Sequence, residues 1–271
     1  MYKSMSEIIS SKQNDKIKFI DKLKKSSHRK KFGVFIVEGL REITRAHQEN
    51  FIIEVIYCPE LFTDATIYNQ FLETIKNIPT TQVTSEVFKK ISLRENGDGL
   101  IALGTAKYKT LNDWKKHPNP LFLVTENIEK PNNFGAIIRT AESAGIDGII
   151  VLDQSTEIFN PHVIRNSQGA VFFTPIFHAT IEEFLKFADK NNITIFITTP
   201  HTEKLYFDED FSQGSAILVG AESTGVSSFW LKQSHQIRIP QNGSSDSLNV
   251  SVATAVVLYE CIRQRTVKHK V

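Results

Sequence analysis

From Phe32 the chain alternates short apolar runs with amphipathic segments. FGVFIVEG reads as a strand, LREITRAHQEN as a helix and FIIEVIYCPE as a second, β-branched strand. TIYNQFLETIKNI then has helical spacing, TTQVTS reads as a short strand with a cap, and SEVFKKIS as a helix. GLIALG is a strand entered through the turn residues Asn96, Gly97 and Asp98. These elements predict a small α/β domain over 32–105. The next stretch, TAKYKTLNDWKKHPNP, is polar and ends in two prolines, which disfavour helix before them, so 106–119 is expected to be a linker.

A second alternation fills 120–271. LFLVTENI reads as a buried strand, EKPNNFG as a loop, GAIIRTAESA as a helix closed by Gly145, and DGIIVLD as a strand. PHVIRNSQG follows as a helix, AVFFTPIF as a strand, IEEFLKFADKNN as a helix, and ITIFITTP and AILVG as strands. VSSFWLKQS is expected to be a helix, HQIRIP a strand, and SLNVSVATAVVLYECIRQR a long terminal helix. Strands separated by helices imply an α/β domain with a parallel sheet covered on both faces.

The net charge of +2 changes this picture only when divided along the chain. Residues 1–31 hold ten basic and three acidic residues, a balance of +7, and the remainder carries −5. A basic leading arm predicts a polyanionic partner such as a nucleic acid, since each neutralised phosphate releases counterions, with Arg29, Lys30 and Lys31 as candidate contacts. The alternative is a solvated, partly helical tail. No run of about 18 apolar residues is present, so no membrane span is expected, and the first residues lack the apolar core of a secretory signal. Cys58 and Cys261, one in each half, support neither a disulfide framework nor a metal site. A reducing cytosol and no metal are the expectations.

Ligands of open parallel sheets bind beyond the carboxyl ends of the strands. Three loops there are unusual: KPNNFGAIIRTA after LFLVTENI, AESTGVS after AILVG, and QNGSSDSLN after HQIRIP. Standard motifs fail on them. GAESTG has the outer spacing of a phosphate loop, but Val226 and Ser227 stand where Lys and Ser/Thr are required. Neither GxGxxG nor HExxH nor GxSxG occurs, which removes most routine α/β enzymes.

Taken together, NNFGAIIRTAESAG (132–145), ILVGAESTG (217–225) and RIPQNGSSDSLNVSVATAVVLYE (238–260) resemble the three signature motifs of the SpoU/TrmH family, SPOUT-class RNA methyltransferases. HRKKFGVFIVEGLREI and VTSEVFKKIS are similar to the small L30e-like substrate-binding domain that precedes the catalytic domain in many members. The resemblance implies a parallel-sheet domain with a C-terminal trefoil knot, a homodimer, and S-adenosylmethionine as cofactor. It implies cofactor contacts at Gly220, Ile239, Pro240, Gly243 and Leu248, and functional polar positions at Asn133, Arg139, Glu222, Ser247 and Asn249. Asn133 and Asn249 are expected to hold the loops and the ribose, and Glu222 to position Arg139 or Asn249. Family proposals give Arg139 the hydroxyl. A guanidinium with a pKa above about 12 is better suited to clamping ribose and phosphate than to taking a proton. The chain departs from the family pattern at Ser223, Thr224, Gln241, Ser245 and Asp246, and at Gly97–Gly99. The implied function is methylation of a ribose 2′-hydroxyl in RNA, ribosomal RNA first. A transfer-RNA substrate and a non-catalytic RNA-binding or ribosome-assembly protein are the alternatives.

Overall fold

A computed structural model describes residues 8–152, 156–232, 235–243 and 247–268. The chain forms two compact units. The first is built from the described residues up to Lys107 together with Ile158–Phe173, the second from Tyr108–Glu157 and Thr174 onward.

The first unit opens with α1 (Asp15–Lys22) and α2 (Ser26–Phe32), then β1 (Val34–Glu38), α3 (Leu40–Gln48), β2 (Ile52–Tyr57), α4 (Ala65–Thr74), β3 (Thr80–Gln82), α5 (Ser85–Ile91) and β4 (Leu100–Thr105). Its sheet runs in the order β1-β4-β2-β3. β4 lies antiparallel to both neighbours, and β3 parallel to β2. The expected N-terminal arm is folded from residue 15 onward. Asn14 caps α1 by accepting from the Lys16 amide, and Ile17, Ile20 and Leu23 join Ile36, Ile56, Val87, Phe88 and Ile101 in one core. The lysines between them occupy the outer faces of the same helices, so a charge count reads as a tail what an apolar stripe makes a structural element. Residues 1–7 lie outside the described residues.

The second unit contains β5 (Lys109–Thr110), β6 (Leu121–Glu126), α6 (Pro131–Ser143) and β7 (Gly148–Leu152). The chain then passes through α7 (Pro161–Asn166), which belongs to the first unit, and continues with β8 (Ile176–Ala179), α8 (Ile181–Lys190), β9 (Thr194–Thr198), β10 (Ser215–Val219), β11 (Gln236–Ile237) and α9 (Val250–Lys268). Seven strands, all parallel, run in the order β11-β9-β10-β6-β7-β8-β5. From β6 the chain builds outward through β7 to β8, then returns to build the other side. The order therefore reverses between β6 and β10, where open sheets form a crevice.

Three expectations are corrected. Part of the expected linker enters the sheet, since Lys109 and Thr110 pair with β8 and Trp114 packs on Phe122 and Phe187. AVFFTPIF is not one strand: Ala170–Phe172 form a single 3-10 turn, and β8 starts only at Ile176. Phe172 joins Phe35, Phe51 and Phe159 in an aromatic cluster of the first unit, and that side-chain burial overrides the β-propensity of the segment. VSSFWLKQS gives a 3-10 turn at Trp230–Lys232 instead of a helix; Gln233 and Ser234 lie outside the described residues.

Candidate active site

The crevice between β6 and β10 is built from the strand ends outward. β6 ends in Glu126, which is buried; one carboxylate oxygen accepts from the Ser227 amide at 2.7 Å and the other from the Trp230 indole N–H at 3.0 Å. Those two bonds fix the far end of the loop after β10. At its near end Gly220 packs so closely that a Cβ there would lie 2.3 Å from the Gly225 carbonyl carbon and oxygen, so only glycine fits. Ala221 and Gly225 exchange both backbone hydrogen bonds, at 3.0 and 2.9 Å, and Gly225 takes a left-handed φ of 67°. Glu222, Ser223 and Thr224 form the tip of this closed turn.

From the tip, Glu222 Oε1 accepts from Asn133 Nδ2 at 2.5 Å. Asn133 sits in the first turn of α6, begun by Pro131. Its Oδ1 accepts from Asn249 Nδ2 at 3.2 Å, and Asn249 Oδ1 accepts from the Ser251 amide at 3.0 Å and the Ser251 hydroxyl at 2.6 Å. The amide orientations follow from this chemistry. Ser251 N–H can only donate, so Asn249 presents its oxygen to Ser251 and its nitrogen to Asn133; Asn133 must then turn its own nitrogen to the carboxylate. The result is a one-way row of donors from Asn249 through Asn133 to Glu222. Glu222 Oε2 is buried and has no hydrogen-bond partner among the described residues, which leaves an acceptor suited to a hydroxyl or amino donor.

The structure thus brings Asn133, Glu222 and Asn249 together. Glu222 is bonded to Asn133 instead of Arg139 or Asn249, because Arg139 lies on an exposed part of α6 and forms no hydrogen bond or ion pair among the described residues. Ser247 is exposed and outside the row. Of the expected cofactor positions, Gly220 is buried at the end of β10. Ile239 is half-buried and Pro240 exposed just beyond β11. Gly243 is exposed, with nothing within 4 Å of an added Cβ, and Leu248 is exposed. Ser245 and Asp246 lie outside the described residues.

Of the expected RNA contacts, Lys30 and Lys31 are exposed, but Arg29 is corrected. It is 3% exposed, and its Nη1 donates to the carbonyls of Leu23 and Lys24 at 2.8 and 2.9 Å, so the guanidinium serves the chain that leaves α1. Sequence reasoning missed Glu126, Trp230 and Ser251. The available signal was an acid ending a strand otherwise apolar, LFLVTE, and a second serine two residues after Asn249. Among the described residues no group of three or more His, Cys, Asp or Glu is placed to hold a metal, and no helix is long and apolar enough to cross a membrane.

The chain belongs to the SpoU rRNA methylase family, whose model matches residues 120–259. Residues 14–102 match the MRM3-like substrate binding domain. The chain is similar to the 23S rRNA (guanosine(2553)-2′-O)-methyltransferase RlmP of Bacillus subtilis, 26% identical over 252 residues that cover 93% of this chain and 97% of that protein. It is also similar to a crystal structure of an RNA 2′-O ribose methyltransferase, with TM-score 0.83 and 36% identity over 96% of this chain and 100% of that one. The AdoMet-bound rRNA methyltransferase from Sinorhizobium meliloti superposes with TM-score 0.85 and 26% identity, covering 95% and 98% of the two chains.

Proposed function

We propose that this protein transfers a methyl group from S-adenosylmethionine to a ribose 2′-hydroxyl of ribosomal RNA. The observation that carries the reading is the donor row Asn249–Asn133–Glu222, ending in an unpartnered carboxylate oxygen at the sheet's switch point, in a chain of this family. Relatives named as 23S rRNA 2′-O-methyltransferases favour ribosomal over transfer RNA.

In this reading Gly220, Ile239, Pro240, Gly243 and Leu248 hold the cofactor, largely through backbone groups, and the absence of a Cβ at Gly220 lets the Gly225 backbone close the turn beside it. When bound, S-adenosylmethionine supplies an electrophilic methyl carbon; positioning is left to the protein. Glu222 Oε2 accepts a hydrogen bond from a hydroxyl brought into the crevice, and Asn133 keeps the carboxylate aimed there. Arg139, with no partner among the described residues, takes a substrate phosphate in this reading and orients the ribose beside it by its forked donors. Ser247 adds a hydroxyl at the mouth of the third loop. In-line attack by the 2′-oxygen would form the oxygen–carbon bond as the methyl–sulfur bond breaks, with S-adenosylhomocysteine leaving and the hydroxyl proton passing to solvent, and correct alignment alone would supply several kcal/mol of the barrier reduction.

The same reading includes a trefoil knot formed by the last part of the chain, a substrate-binding domain preceding a methyltransferase domain, a cytosolic site of action, and a homodimer. The dimer is supported by α9, where Val252 and Tyr259 are about half exposed on a helix rich in apolar residues.

Incubation of labelled S-adenosylmethionine with ribosomal RNA from cells lacking the enzyme tests the proposal. Label is expected in dinucleotides resistant to alkali, because a 2′-O-methyl group blocks strand scission. Label on a base, or no label together with no rise in melting temperature on adding the cofactor, overturns it.

A further inference from the structure

The helical pair at the start of the first unit carries a surface that the methyl-transfer site does not use. Along α2, Lys25, His28 and Phe32 recur at helical spacing on one face, with Lys31 beside them. Phe32 is 47% exposed. Its ring is backed by Phe19 of α1, edge-to-face at 5.2 Å, and flanked by His28, inclined at 30° with centroids 6.3 Å apart; Lys31 Nζ lies 5.4 Å from the ring centroid. An exposed phenylalanine alone means little. The charge around it is what gives it meaning. The two acids of this segment are already engaged, Asp15 with Lys18 at 3.7 Å and Asp21 with Lys24 at 3.1 Å. Lys22, Lys25, Lys30 and Lys31 form no ion pair among the described residues.

We infer that this face is a stacking platform for an unpaired RNA nucleotide: one base lies on the exposed part of the Phe32 ring, and the neighbouring phosphates are neutralised by Lys25 and Lys31. A flat aromatic ring held in place and set among uncompensated cations matches what single-stranded nucleic acid presents, a π-face every nucleotide and a phosphate between each pair. A base pair inside a duplex has no free face to give it. An apolar protein partner would have to desolvate Lys25 and Lys31. Arg29, buried beneath, sets the geometry without touching RNA. The inference rests on RNA being the substrate and adds how an unpaired stretch of it is grasped by the first unit.

The test uses the full-length protein and a fluorescein-labelled single-stranded RNA oligonucleotide, the same sequence as a blunt duplex, and anionic phospholipid vesicles. Phe32→Ala and Phe32→Leu are both expected to weaken single-strand binding about tenfold with duplex binding unchanged, since one stacked base is worth about that much. Leu keeps an apolar contact with Phe19, and an unchanged melting temperature for that variant separates stacking from folding. Phe32→Trp is expected to restore affinity. Lys25→Gln and Lys31→Gln should each reduce the slope of log affinity against log salt by about one. Equal affinity of parent and Phe32→Leu for single strands overturns the inference, as does equal loss on duplex or a Phe32-dependent binding confined to vesicles. Methyl transfer that persists in those cases leaves the proposed activity standing; loss of all transfer in the parent overturns the activity instead.

Discussion

At the scale of single residues, the site depends on which way two amide groups face. Ser251 fixes Asn249, Asn249 fixes Asn133, and Asn133 donates to Glu222. Asn249→Asp is the sharpest disturbance: the new carboxylate can only accept, Asn133 must flip to donate to it, and the flipped carbonyl then faces Glu222. Methyl transfer is expected to fall about 100-fold, close to 2.7 kcal/mol, with RNA affinity within twofold of the parent in a binding titration. A second residue-scale prediction concerns Glu38, buried in the first unit, which accepts from the Ser92 hydroxyl at 2.8 Å and the Leu93 amide at 2.6 Å. Burial holds its carboxyl above the usual range, with those two hydrogen bonds and Arg94 opposing the shift and Asp98 reinforcing it. A raised native pKa means its contribution to stability is fully present below the unfolded value of about 4.3 and is lost as pH rises through the native value. Glu38→Gln removes that loss, because its amide can donate to Ser92 Oγ while the hydroxyl keeps its bond to the Arg94 carbonyl. The variant should melt above the parent at pH 7–8 and lose the advantage near pH 4.

Among the elements, the loop between β10 and β11 owes its course to one buried acid. Glu126 takes the Ser227 amide and the Trp230 indole, and Trp230 is fully buried in the core beside Phe184. Trp230→Phe keeps most of the packing and removes one donor from a buried carboxylate, for which a loss of about 1–3 kcal/mol is expected. Denaturant unfolding measures it, and weaker cofactor binding should accompany it because the same loop carries Gly220. These details also explain which parts of the architecture could be read in advance. β6, β9, β10 and the body of α6 were legible because their apolar spacing is decided locally, whereas PNNFG, expected as a loop, is the first turn of α6, begun by Pro131. The Trp230 segment was not legible, since its amphipathic spacing suits a helix but its indole bonds to an acid over a hundred positions earlier. Ala170–Phe172 misled for a related reason: aromatic residues that favour strands are consumed by a cluster with Phe35 and Phe159. The asparagines and the glutamate of the site were legible from motif position; their partners were not, because hydrogen-bond direction depends on side chains brought together by folding.

At the scale of the whole molecule, α9 has two duties. One side packs against α6 and the sheet, with Val257, Leu258 and Cys261 fully buried. The other presents Val252 and Tyr259, a helical repeat apart, to the outside. The proposed homodimer is expected to dissociate when Tyr259→Lys and Val252→Glu are combined, shown as a halved mass in sedimentation, with methyl transfer falling in parallel. A variant that stays dimeric argues for another interface. The seven-stranded sheet has a consequence of its own. Both of its margins, β5 and β11, are two residues long, so the rows of unmatched amides that would let neighbouring molecules zip onto a parallel sheet are cut to almost nothing. An all-parallel architecture, slow to assemble because its pairings are distant in sequence, is by this trimming shielded from fibre seeding even where many copies are crowded together.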